Sequence, residues 1–118
     1  MSAALDLTGL APGFADPPAQ AQAVFRQLLS AMASPGRIER LSSAPLSCPL
    51  PNAAAAAVAL TLFDFETTVY LAPDLADAAT TAWLKFHCGC PLVAGSGTAD
   101  FALCTPAGLR PLADYGLG

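Results

Sequence analysis

From Ala53 onward, segments with helical character alternate with short apolar runs, and this alternation constrains the fold more than any other feature. Asn52 offers a cap for Ala53 to about Phe63, a stretch of very high helix propensity that is apolar on nearly every side and is expected to pack on a sheet. Thr67 to Leu71, β-branched and aromatic, is the strand that follows, with Asp64 to Glu66 in the turn between them. Pro73-Asp74 is expected to open another helix running to about His87, with Leu75, Ala78, Ala79, Ala82, Trp83 and Phe86 on one face and Gly89 as its C-terminal cap. Pro91-Leu92-Val93 and Phe101 to Cys104 are two further strands, separated by Gly95-Ser96-Gly97 and Asp100. The pattern implies an α/β domain, a layered mixed sheet with helices packed on it.

Upstream, Asp16 can cap and Pro17 can begin a helix in which Ala21, Val24, Phe25, Leu28, Leu29 and Met32 recur at helical spacing. Ser34-Pro35-Gly36 stops it, because proline cannot continue the ladder and glycine accepts the left-handed turn. Ile38 to Leu41 is expected to be a short strand, and the polar, proline-containing stretch through Pro51 a loop. No repeat, heptad array or linker divides the 118 residues, so one domain spanning 1–118 is expected, with Thr105 to Gly118 an extended segment or an unfinished unit.

Only 12% of the residues are charged against 54% apolar, which leaves too few charges for an ordinary ionic coat and points to a surface covered by a partner. Alanine, a good surface helix former, supplies much of that apolar fraction and softens the argument. A net charge of -4 with five scattered Lys and Arg excludes a nucleic-acid binder, which needs clustered cations. Met1 to Leu10 has neither a basic n-region nor a sustained apolar run, so a secretory signal or membrane span is not expected there. The longest apolar stretch, Ala53 to Leu62, is about half of what crosses a bilayer. A cytoplasmic protein is expected, with Cys48, Cys88, Cys90 and Cys104 as thiols.

Three groups of residues bear on chemistry. His87-Cys88-Gly89-Cys90 puts three soft-metal ligands in four positions, but structural zinc sites leave two or more residues between paired cysteines, so no metal is expected. Cys88 and Cys90 are better read as small buried thiols, and His87 as a helix-end residue bonding a free carbonyl or a partner. A His87-activated cysteine would need the two side chains to face each other, which neighbours on a helix rarely do, and a cationic setting that is missing. Asp64 and Glu66 could pair for acid–base work or hold a hard metal, although carboxylates in such turns are more often solvated or capping. Neither phosphate-binding fingerprint, G-x-G-x-x-G or G-x-x-x-x-G-K-[ST], occurs, and Gly95-Ser96-Gly97 does not have the spacing of a nucleophile elbow.

Four blocks carry a family resemblance: Gly13-Phe14-Ala15-Asp16-Pro17 with Gln22 to Met32 and Pro35-Gly36, then Leu60 to Thr67, then Trp83 to Val93, then Ala99 to Ala102. In this order, from about Gly13 to Cys104, they resemble the PhnH family of carbon–phosphorus lyase subunits. The chain departs from the family pattern at Cys88, where Thr is usual, and is expected to lack the C-terminal part that typical members carry, a fold truncated at that end. The resemblance implies a fold similar to pyridoxal-phosphate-dependent transferases without the cofactor. It also implies a non-redox role, with PhnG, PhnI and PhnJ, in attaching an alkylphosphonate to the ribose of ATP with release of adenine. A homodimer is expected in isolation, with no autonomous activity and no catalytic residue in the chain itself. Arg26, Asp64, Glu66 and His87 are the candidates for substrate or partner contact. The alternative is a stand-alone small-molecule enzyme or metal-binding domain using His87 and its neighbouring thiols.

Overall fold

A computed structural model describes residues 10–45 and 47–117, which fall into two compact units, Ala11–Leu62 and one formed mainly by Phe63–Gly118. The segment Met1 to Leu10, on which the expectation of no leader falls, lies outside the described residues except for Leu10. Among the described residues no helix is long and apolar enough to cross a membrane.

The first unit is a pair of helices, α1 (Pro17–Ala33) and α2 (Ala53–Leu62), packed on each other. Asp16 stands at the head of α1, yet its carboxylate caps nothing, and Pro17 and Pro18 have no N–H to offer at the first two helical positions. The end is closed instead by Gln20, whose side-chain oxygen accepts the Asp16 N–H at 2.7 Å. Gly36, at φ +88°, turns the chain out of the helix. Asn52 does cap α2, accepting the Ala55 N–H at 2.8 Å. The buried positions are Val24 on α1 and Ala56, Ala57 and Ala59 on α2, small side chains that let two helices approach closely.

Ile38 to Leu41 is not a strand, and Ile38 is 90% exposed. The reason lies in Gln27, whose amide donates to the Arg40 carbonyl at 2.9 Å and accepts the Ser42 N–H at 2.9 Å. One side chain thus satisfies the backbone groups that a neighbouring strand would have paired.

The second unit holds a three-stranded sheet, β1 (Val69–Leu71), β2 (Leu92–Val93) and β3 (Phe101–Leu103), in the order β2-β1-β3. Both pairings are parallel, so the sheet is not mixed as expected. After β2, the chain passes through a 3-10 turn at Ser96–Thr98 and returns to the starting end of β1, where the Asp100 N–H meets the Thr68 carbonyl at 2.9 Å. Being central, β1 is buried on both faces, with Val69 and Tyr70 0% and 7% exposed. Two aspartates brace the β1–β3 pair: Asp100 accepts the Thr68 N–H at 2.9 Å before the strands, and Asp74 accepts the Thr105 hydroxyl after them.

Helix α3 (Ala78–His87) links β1 to β2 and begins five residues later than the Pro73 start expected from sequence. The Pro73–Asp77 stretch is spent on turns, with the Leu75 N–H bonded to Ala72 and the Asp77 N–H to Leu75, while the Asp74 carboxylate serves Thr105. Asp77 is the true cap, accepting the Thr80 N–H at 2.7 Å, a bond that draws its carboxyl below the ordinary value of 3.8. The buried face is Thr80, Trp83 and Leu84, whereas Ala78, Ala79 and Phe86 of the expected face are exposed. Gly89, at φ +66°, closes the helix with its N–H on the Leu84 carbonyl at 3.1 Å.

The stretch after Thr105 is folded, with 3-10 turns at Pro106–Gly108 and Leu112–Asp114. Arg110 ties it together, through an ion pair to Asp114 at 3.0 Å and a backbone N–H to the Tyr115 hydroxyl at 3.0 Å.

Candidate functional site

His87 ends α3 half-buried between two aromatic rings, 5.1 Å from Trp83 one turn back and 5.0 Å from Phe86, which meets it edge-on. The i, i+4 spacing on a helix brings Trp83 and His87 together. Cys88, the C-cap, has its thiol pushed up to about 12 by burial and by the neighbouring Cys90, and burial raises Cys90 as well. Both sulfurs are therefore protonated at neutral pH and poor nucleophiles. Among the described residues no three His, Cys, Asp or Glu side chains converge on a point where a metal ion could be held.

Asp64 has a structural task in the turn that precedes β1. Asp64 Oδ1 accepts both the Glu66 N–H and the Thr67 hydroxyl at 2.9 Å, which makes it the organiser of the turn into β1. Glu66 is exposed, and Phe65 at the tip of the turn is 75% exposed. Arg26, in the other unit, is exposed on α1 and makes no ion pair among the described residues. Beside it on that helix, Phe25, Leu29 and Met32 are 45%, 52% and 79% exposed, an apolar strip at helical spacing left open to water.

The feature that sequence reasoning missed is a cavity of about 360 Å³ beyond the carboxyl ends of β1 and β2. Tyr70, Ala94 to Gly97, Arg110 and Asp114 line it. The Arg110 guanidinium reaches Asp114 Oδ2 with Nη2 at 3.0 Å and Nε at 3.2 Å, and the Ser96 hydroxyl donates to the Asp114 carbonyl at 2.7 Å. The signal in the sequence was Gly95-Ser96-Gly97 directly after a strand, since ligands of open α/β sheets bind at the carboxyl ends of strands. Arg110 and Asp114 sat in a tail without periodicity and gave no such sign.

The chain is 46% identical over 76 residues to the "Alpha-D-ribose 1-methylphosphonate 5-triphosphate synthase subunit PhnH" of Rhizobium meliloti (strain 1021). The matched stretch covers 64% of this chain and 38% of that relative, so the chain spans well under half of the relative's length. The family described as "Bacterial phosphonate metabolism protein (PhnH)" matches residues 12–118. With nearly the whole described chain matched, including the helix pair, the parallel sheet and the segment that closes the cavity, the protein belongs to the PhnH family of bacterial phosphonate metabolism proteins.

Proposed function

We propose that the chain acts as a non-redox subunit of the carbon–phosphorus lyase core complex, in the step that joins an alkylphosphonate to the ribose of ATP and releases adenine. The reading rests on membership of the PhnH family and on the synthase-subunit title of the Rhizobium relative. The observation that carries it in this molecule is the apolar strip of Phe25, Leu29 and Met32, exposed on a helix of a chain with few charges. In this reading PhnG, PhnI and PhnJ complete the catalytic site, the chain needs no cofactor, and a homodimer in isolation uses part of the surface that partners later occupy. The domain spans the chain, works in the cytoplasm, and has a fold similar to pyridoxal-phosphate-dependent transferases. Arg26, Glu66 and Phe65 are surface groups through which a partner could be contacted, whereas Asp64 is committed to its own turn. The raised thiols of Cys88 and Cys90 weigh against the alternative of a stand-alone cysteine enzyme.

Co-expression with tagged PhnG, PhnI and PhnJ tests the reading. The chain is expected to co-purify, and Leu29→Asp with Met32→Asp is expected to abolish co-purification while leaving the circular dichroism spectrum unchanged. Failure of the unaltered chain to co-purify, at concentrations where it is folded, refutes the subunit role.

A further inference from the structure

The cavity beyond β1 and β2 presents a particular set of polar groups. Tyr70 is only 7% exposed, lines the cavity, and its hydroxyl makes no hydrogen bond among the described residues. A phenol hydroxyl without a partner is available both to donate and to accept. Asp114 receives Arg110 on Oδ2 alone, which leaves Oδ1 free to accept from a ligand, and the guanidinium retains donors that the single carboxylate oxygen does not use. Gly95 and Gly97 add no side chain to the loop wall, which they share with Ala94 and Ser96.

The charges select among ligands. Arg110 and Asp114 cancel, so an oxyanion entering the cavity would meet a carboxylate as closely as a guanidinium. A neutral ligand with adjacent hydroxyls meets no such conflict, since one hydroxyl can donate to Asp114 Oδ1 while its neighbour accepts from Arg110 or exchanges a hydrogen bond with Tyr70. A carboxylate placed near the carboxyl end of a parallel strand is a known solution for holding ribose hydroxyls in open α/β sheets. The volume, about 360 Å³, is at the lower end of the range for small-molecule sites and admits a pentose ring.

We propose that this cavity is a subsite for the cis-diol of a sugar, with Asp114 as hydroxyl acceptor, and Arg110 and Tyr70 completing the set. The choice of a ribose as the sugar rests on the synthase reading given above, whereas the preference for a neutral diol over an oxyanion rests on the cavity alone.

The test is a nitrogen-15 chemical-shift titration of the full chain with methyl β-D-ribofuranoside, its 2-deoxy analogue and inorganic phosphate, in separate experiments. The riboside is expected to move the amides of Gly95, Ser96 and Gly97 in a saturable way, and the deoxy analogue to bind several-fold more weakly. Tyr70→Phe is expected to weaken the riboside roughly threefold to tenfold, the worth of one hydrogen bond, and to keep the unfolding midpoint. Phosphate moving those amides where the riboside does not would replace the diol assignment with an anion site. Equal binding of the deoxy analogue, or no saturable shift with either sugar, would overturn the proposal. The titration uses the chain alone, so its outcome is separate from co-purification with other subunits.

Discussion

Leu28 stands on the apolar stripe read for α1 from the sequence, whereas Leu84 lies outside the face read for α3, and the structure reverses their weights. Leu84 is 0% exposed on α3, whereas Leu28 is half-buried on α1. Leu84→Ala removes three buried carbons at about 0.8 kcal/mol each, or roughly 2.4 kcal/mol of transfer free energy. A residual cavity adds to this, so the total is expected at about 3 to 4 kcal/mol. Leu28→Ala, with part of its side chain already in water, is expected to cost about 1 to 2 kcal/mol. Urea unfolding followed by far-ultraviolet circular dichroism gives both values on one scale, and Trp83, the single tryptophan and the residue next to Leu84, gives a second probe by fluorescence. A loss below about 1 kcal/mol for Leu84→Ala, or a larger loss for Leu28→Ala than for Leu84→Ala, would refute the assignment of the core.

Gly89→Ala is expected to cost about 1 kcal/mol in the same assay, from the left-handed backbone alone, since φ is +66° and an added methyl would meet nothing within 4 Å. For Cys88, burial favours the neutral thiol, so its contribution to stability is full below the ordinary value of 9.0 and is lost as pH rises toward about 12. In a variant with Cys88 as the only thiol, iodoacetamide at pH 8 should react far more slowly with the folded chain than with the urea-unfolded one, and equal rates would show the thiol to be open. Asp77, held below 3.8 by the Thr80 N–H, stabilises the start of α3 fully above that pH and loses this contribution as pH falls through its lowered value. Thermal melts between pH 2 and 6 should therefore show a shallower acid decline for Asp77→Asn than for the unaltered chain, and superimposable declines would remove Asp77 from the account.

What the sequence made legible were elements whose determinants are local. Asn52 and the alanines after it define α2 within a few residues, and Gly89 marks the end of α3 by its own backbone freedom. The Pro73–Asp77 stretch was misread because a proline followed by an aspartate opens a helix and a turn equally well, and Thr105, far along the chain, decides between them. Ile38 to Leu41 has strand composition, but its hydrogen-bond partner is the side chain of Gln27, which no strand pattern anticipates. The stripe of α1 was correct in its periodicity, yet periodicity says which residues share a face and not that the face is covered, and Phe25, Leu29 and Met32 remain exposed. Among the candidate residues, Asp64 turned out to be a turn organiser as the capping reading of such carboxylates allows. Tyr70, Arg110 and Asp114 meet only because the tail folds back beside the β2 loop, a relation between distant segments that no local window contains.

The two aspartates that brace β1 against β3 have a consequence for how the chain is made. Each strand has three residues, too few to specify its own alignment by side-chain pattern. Asp100 and Asp74 act as a two-point key: a slip of β3 by one residue would draw Asp100 from Thr68 and Thr105 from Asp74 together, leaving two carboxylates without their donors. Because the second point of the key is Thr105, correct alignment cannot be read until that residue is available. A nascent chain emerging from the ribosome would therefore be able to pair β1 with β2 early, and would lock β1 to β3 only once Thr105 had cleared the exit tunnel.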